Sequence, residues 1–312
     1  MKHVTLRQLK VFESVARHLS FSRAAEELHL TQPAVSMQVK QLEEQAGLPL
    51  TEMIGKKVFL TQAGEEVARH ARLIAQQLRE AGEAIDALKG VRGGTLSLGV
   101  ISTAKYFAPR LLAEYRRRQP GIELRLGVYN RATVLRKLSE NEIDLAIMGQ
   151  PPNDFPTVAE AFADHPLVII AAPDHPLARK KKIDPVLLNE ETFLIREPGS
   201  GTRATMERYF AEAGVVPRHR MELVSNEALK QAVMAGLGLA FISAHTVSLE
   251  CEVGRLVVLP VTGTPIIRRW YVVQRAEKLL LPVAETFRTF LIAEAPAMLS
   301  GNTQTSESKS RR

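Results

Sequence analysis

Apolar positions over the first ninety residues repeat at helical spacing. Leu6, Leu9, Phe12, Val15 and Ala16 predict a helix over residues 5–18 with these side chains facing inward. Two short helices joined by a tight turn follow over residues 20–40. Ser22 is the expected cap of the first, Ala24, Ala25 and Leu28 its packing face, and His29-Leu30 the turn. The second opens on Thr31, a good N-cap, and tolerates Pro33 in its first turn, where the missing N–H costs nothing. Val35, Val39 and Leu42 form its buried stripe, and Gly47 is its left-handed stop. Residues 48–61 read as a small wing with its turn at Gly55. Over residues 62–89, Val67, Ala71, Ile74, Leu78, Ala81, Ile85 and Leu88 alternate by four and three. That is a heptad seam on a helix about 40 Å long. Such a helix needs a partner: the chain's own domain, or a second copy of the chain, which is the preferred reading. Gly90–Gly94 then breaks it as a hinge.

From Thr95 the pattern changes to alternating strands and helices. Strands are expected at Thr95–Ile101, Ile122–Tyr129 and Asp144–Met148, with helices at about 105–118 and 131–139 between them. A second set starts at Leu167–Ala171 and runs through Thr192–Ile195, a helix near 202–213, Met221–Val224, a helix near 226–235 and Gly236–Ile242. Trp270–Gln274 and a helix at about 282–294 return to the first lobe. This order implies mostly parallel sheet covered by helices on both faces.

Composition narrows the function classes. The chain has 312 residues, room for two or three domains, and a formal net charge of +7, which suits an anionic partner. One cysteine, Cys251, excludes an internal disulfide and a multi-cysteine metal site; flanked by carboxylates, it reads as structural. There is no signal-peptide pattern after Met1 and no apolar run of membrane-spanning length, so a cytoplasmic protein without a membrane partner is expected. No nucleotide loop, nucleophile elbow, paired catalytic carboxylate or metal-ligand spacing is present, and no cofactor is expected. His165 and His175 stand in His-Pro-Leu repeats that read as turns at strand ends, and Lys180-Lys181-Lys182 as a solvated loop.

The exposed face of the second short helix carries Gln32, Pro33, Ser36, Met37 and Lys40 beside the cap Thr31. Gln offers a bidentate pair to adenine, Ser reads either kind of edge, Pro touches a thymine methyl, and Lys reaches guanine or phosphate. Patterning alone fits an ordinary amphipathic hairpin equally well. Leu6-Arg7-Gln8-Leu9 with Phe12, Ser20-Phe21-Ser22 with Ala24-Ala25, Thr31–Ser36, Leu42-Glu43 and Leu60–Gly64 form a long ordered pattern. Across residues 4–64 it resembles the winged helix-turn-helix of the LysR-type transcriptional regulators. The resemblance implies a multidomain protein. Residues 1–61 would be an N-terminal all-α winged helix-turn-helix, and 62–90 a long dimerising linker helix. Residues 91–298 would be an α/β two-lobed effector domain like the periplasmic binding proteins; the Ser/Thr/Gly/Lys/Arg-rich composition of 299–312, outside the resemblance, predicts a disordered tail. The resemblance adds Lys56 and Lys57 of the wing as phosphate contacts, double-stranded promoter DNA and RNA polymerase as partners, and a homodimer or homotetramer.

A ligand in such a fold sits beyond the carboxyl ends of strands. Ser102-Thr103, Asn130, Gln150 and the stretch Arg196-Glu-Pro-Gly199-Ser200-Gly201-Thr202-Arg203 lie there, with Asn226 approaching from the second lobe. The glycines, hydroxyls and arginines make a seat for phosphate or carboxylate; the alternative is a polar loop that caps a helix. Tyr106–Leu112, His165–Leu177, Arg196–Arg203 and Ser225–Gly238 further resemble the LysR-type regulators of Calvin-cycle operons. That closer resemblance implies an activator of carbon-fixation (RuBisCO) genes that answers a phosphorylated metabolite or NADPH. The same subgroup includes regulators of inorganic-carbon uptake and of sulfur or nitrogen metabolism. Rivals from other classes are a cytoplasmic solute sensor acting through protein contacts and an enzyme on the same two lobes.

One stretch departs from the family. Thr51-Glu52-Met53 stands where relatives usually have Phe-Glu-Arg. The expectation is a looser wing or weaker DNA binding. Met53→Arg should tighten binding on all sequences and steepen the log–log salt slope by roughly 0.9, read by titration at several salt concentrations. No gain would count against the idea.

Overall fold

The computed structural model describes residues 1, 3–55, 57–88 and 93–300, and it separates into two compact units. Lys56, the hinge around Gly90 and the tail from 301 lie outside the described residues.

The first unit starts with α1 (Leu6–His18), whose capping box joins Thr5 and Gln8. It continues with α2 (Phe21–Leu28) and α3 (Gln32–Ala46). The cap of α2 is Ser20, which accepts from the Arg23 N–H; the expected Ser22 lies inside the helix, because the chain turns helical one residue after Ser20. Thr31 caps α3 and Gly47 closes it at φ +72°, as the pattern predicts. Strands β1 (Thr51–Ile54) and β2 (Lys57–Leu60) form the wing, in register from Thr51↔Leu60 to Ile54↔Lys57. The missing aromatic at Thr51 does not open this wing. The Glu43 carboxylate accepts from the Leu50 and Thr51 N–H groups and the Thr51 hydroxyl at 2.8–3.2 Å. Phe12, Val35, Leu42 and Leu50 are fully buried at the centre, whereas Leu6, expected inside, is exposed.

Helix α4 (Gln62–Leu88) corrects part of the seam. Ala71 is buried in this unit's own core and Val67 packs against it, because the first turns of α4 lie on α1. The exposed seam is Ile74, Leu78, Ala81 and Ile85; the side chain of Leu88 lies outside the described residues.

The second unit is built on β3 (Gly94–Ile101), α5 (Ala108–Arg118), β4 (Ile122–Tyr129), α6 (Arg131–Ser139) and β5 (Leu145–Met148), a parallel βαβαβ set. Next come β6 (Thr157–Ala171), β7 (Thr192–Arg196), α7 (Gly201–Ala213), β8 (His219–Leu223), α8 (Asn226–Met234) and β9 (Leu239–Ser243). Short α9 (Ser248–Glu252) and β10 (Val257–Val258) precede β11 (Ile266–Arg275) and α10 (Pro282–Ser300). The strand order is β4-β3-β5-β11-β6-β9-β7-β8. Each lobe keeps three parallel strands, and the antiparallel pair β6–β11 runs through both.

That pair is longer than the pattern predicts. β6 begins at Thr157, ten residues before the expected Leu167, and His165-Pro166 is strand rather than turn. Pro166 is tolerated because β6 gains its second neighbour, β9, only at Leu167. β11 likewise begins at Ile266 rather than Trp270. Helix α10 passes Glu294 and Pro296 because Ala295 and Leu299 are buried in the first lobe's core, so residues 299 and 300 are helix rather than tail.

Gly64 at the start of α4 touches the end of the wing. A Cβ there would stand 1.9 Å from the Leu50 carbonyl oxygen, a backbone atom that cannot swing aside. Gly64→Ala should destabilise the first unit by about 1–3 kcal/mol. Urea unfolding followed by circular dichroism reads this as an early transition absent from the parent protein.

Candidate DNA-reading helix and ligand cleft

Helix α3 divides cleanly. Val35, Val39 and Leu42 are buried, and Thr31, Gln32, Pro33, Ser36, Met37 and Lys40 are exposed, as is Lys57 of the wing. The face is presented by a rigid support. Glu27 of α2 accepts from Arg17 at 2.6 Å and from Ser14 at 3.2 Å, and meets His18 at 2.5 Å, so α1 and α2 are stapled. Arg17 holds the Glu27 carboxyl down to about 2.

The cleft lies at the carboxyl ends of the parallel strands, in a cavity of about 150 Å³. Ser102 and Thr103 follow β3, Asn130 and Arg131 follow β4, and Gly149 and Gln150 follow β5. Arg196 ends β7, and Gly199, Ser200, Gly201 and Thr202 lead into α7. The Ser200 N-cap makes no side-chain capping bond, which leaves its hydroxyl to the cleft. Asn130 caps α6, its Oδ1 accepting from the Thr133 N–H at 2.8 Å.

Two expected residues stand elsewhere. Arg203 is drawn to Glu207 and Glu222, each at 2.8 Å, and does not line this cavity. Asn226 is buried behind the cavity, where its Oδ1 accepts from Arg196. Arg196 itself is in the wall, but its charge is matched: Nε and Nη2 each donate to the Glu197 carboxylate at 2.7 Å.

Two cations of the wall donate only to neutral groups: Arg131, to the Gln150 and Pro151 carbonyls, and Arg268 of β11; the sequence reading missed both, together with Gly149 and His165. Arg268 Nη1 donates to the Gly201 carbonyl at 2.9 Å and the Thr205 hydroxyl at 3.0 Å. Its Nη2 donates to the Gly149 carbonyl at 2.7 Å and reaches Gln150 Oε1 at 3.4 Å. Gly149 and Gln150 belong to the first lobe and Gly201 and Thr205 to the second, so Arg268 clasps the two through neutral groups. Burial, Arg208 and Arg131 all push its pKa down, the mark of a cation lacking a counter-charge. The available signal was Arg268-Arg269 inside the run Ile266–Val273, two cations where a strand should alternate. Elsewhere, burial and Glu250 push the Cys251 thiol up to about 11, so it is no thiolate. Among the described residues no cluster could hold a metal.

Residues 6–65 match the model of the bacterial regulatory helix-turn-helix protein, lysR family, and residues 89–296 that of the LysR substrate binding domain. The chain belongs to the LysR family. It is a DNA-binding transcriptional regulator and not an enzyme. It is 55% identical to the RuBisCO operon transcriptional regulator of Allochromatium vinosum, covering 95% of this chain and 98% of that one. It is 53% identical to the HTH-type transcriptional regulator CbbR of Rhodospirillum rubrum, over 93% and 96%. Among solved structures it resembles the regulatory domain of Synechocystis PCC6803 CcmR in complex with 2-PG. That match has 44% identity and a TM-score of 0.61, and covers 64% of this chain and 96% of that one. Among the described residues no helix is long and apolar enough to cross a membrane.

Arg268→Ala should weaken the binding of a small anion placed against it by about 1.5–3 kcal/mol, roughly ten- to hundredfold in Kd. Arg203→Ala, its cation already paired outside the cavity, should stay within about twofold. Isothermal titration with 2-PG compares them directly.

Proposed function

We propose that this LysR-family regulator controls carbon-fixation genes and takes a small phosphorylated acid in the cleft between its lobes. The observation that carries the ligand class is Arg268, a half-buried guanidinium bonded only to neutral groups beside the open start of α7. An anion there offsets an uncompensated charge and completes the clasp. Cavity size favours a compact acid over NADPH: about 150 Å³ holds on the order of ten non-hydrogen atoms. The 2-phosphoglycolate complex of CcmR supports the same class, and the RuBisCO-operon relatives support the targets.

The protein acts as a homodimer or homotetramer. Exposed Ile74, Leu78 and Ile85 on α4 supply an apolar seam for a second copy, which puts two α3 helices on two half-sites. Gln32, Pro33, Ser36 and Met37 read bases, with Lys40, Lys56 and Lys57 on phosphates. Ligand shifts the lobes only by as much as it binds one arrangement better, and that shift passes to RNA polymerase through the DNA-bound heads.

Footprinting upstream of the protein's own gene tests the reading, with 2-phosphoglycolate, phosphoenolpyruvate and NADPH added in turn. A phased footprint that shortens or shifts with a phosphorylated acid is expected. Indifference to all three would overturn the carbon-fixation assignment, and no footprint at low salt would overturn the role of α3.

A further inference from the structure

The cleft contains a polar group that anion binding by Arg268 leaves unused. His165 on β6 is only 2% exposed, and neither ring nitrogen has a hydrogen-bond partner among the described residues. Leaving a buried polar group unpaired costs about 1–3 kcal/mol, so such a group calls for a partner from outside the chain. The ring is fixed. Trp270 stacks on it at 3.9 Å between centroids and 17° between planes. His245 cannot serve as the partner: its ring lies 6.4 Å away and its Nε2–H donates to the Asp164 carbonyl at 3.1 Å.

The ring shares its position with the clasp. His165 pairs directly with Arg268 across β6 and β11. Gly149 leaves room beside both: a Cβ there would lie 2.9 Å from His165 Nδ1 and 3.9 Å from Arg268 Nη2. Among the described residues, the ionisable groups that act on the ring are His245 and Arg268. Arg268 faces it from β11 and His245 from the turn after β9, while Asp164 on its own strand is held by Arg269 at 2.8 Å. Arg131 after β4, and Arg196 neutralised by Glu197 after β7, line the same cavity. The unmatched charge here is positive. Burial, His245 and Arg268 hold the free imidazole well below its ordinary range, so it is neutral near pH 7.

We propose that His165 is a ligand-binding residue of this cleft: it takes up a proton from solvent as a phosphate monoester dianion enters, then donates a hydrogen bond to it. The inference rests on the phosphorylated-acid reading above and adds a donor whose charge appears only when the ligand enters. A phosphate monoester loses its second proton near pH 6 and then carries two negative charges. Arg268 and Arg131, each bonded to neutral groups, supply positive charge in this cavity, and protonated His165 adds a charged donor directly beside Arg268. No bond in the ligand breaks, and the proton comes from bulk water.

The sign follows from linkage. The free imidazole has a depressed pKa and the dianion raises it. Between the two values binding takes up one proton, and affinity falls about tenfold per pH unit as pH rises, levelling off above the bound value.

Isothermal titration of the full-length protein with 2-phosphoglycolate, at about pH 7.5 in buffers of different ionisation enthalpy, tests this. The expected result is uptake of close to one proton and a Kd that rises with pH. In His165→Gln, which can donate but not ionise, uptake should vanish and the pH profile flatten. Binding by the parent protein without proton uptake, or uptake retained in His165→Gln, would overturn the role of His165 and leave the phosphorylated-acid reading intact. Failure of the parent protein to bind at all would overturn that reading, and this inference with it. Should His165→Gln not fold, His165→Asn takes its place in the same buffer series, with the same outcomes.

Discussion

The antiparallel pairing of β6 with β11 is the constraint on which the second unit depends. These strands run through both lobes, and their register sets His165 opposite Arg268. Both side chains then stand where the parallel strands of each lobe end. In a doubly wound lobe taken singly, the cleft would be lined only by loops and helix starts. Here two residues from the middle of the crossing strands reach it as well, held by a continuous ladder of backbone hydrogen bonds. Arg268 converts that rigidity into an inter-lobe link by donating to carbonyls on either side.

Charge compensation then sorts the arginines. Four guanidiniums in this region look alike in the sequence and differ in what surrounds them. Arg203 has two carboxylates and does not line the cavity; Arg196 has one carboxylate and an amide; Arg131 and Arg268 have neutral acceptors. A buried charge without a counterion is costly, and that cost is relieved by an incoming anion more than by any group already in place. A fully paired arginine gains less, because it must exchange one good partner for another.

In the first unit the same distinction between pattern and placement applies to α4. Its seam repeats over the whole helix, yet the first turns serve the winged core and only Ile74 onward is left for another surface. A heptad repeat specifies which side of a helix is apolar, not what covers each turn of it. Likewise the wing holds its register without an aromatic at Thr51, because Glu43 supplies hydrogen bonds that the composition of the wing does not reveal.

Local chemistry in the sequence determined a great deal. Helix periods, the Thr31 cap, the Gly47 stop and the switch to alternating strands after Thr95 each depend on neighbours within a few residues, so they were legible without the fold. So were most cleft residues, since they follow strand ends: Ser102, Asn130, Gln150 and residues 199–202. Only the tertiary structure decided the rest. His165-Pro166 looked like a turn, and became strand because β11 lies beside it. Arg268 looked like any surface cation, and became the clasp because residues from both lobes converge on it over sequence separations of 119 and 67. Arg203 and Asn226 were expected in the cleft wall, and the structure pairs them instead with Glu222 and Arg196. Which side chain a cavity receives is fixed by long-range register and by competition among charges, and neither is written in the spacing of residues along the chain.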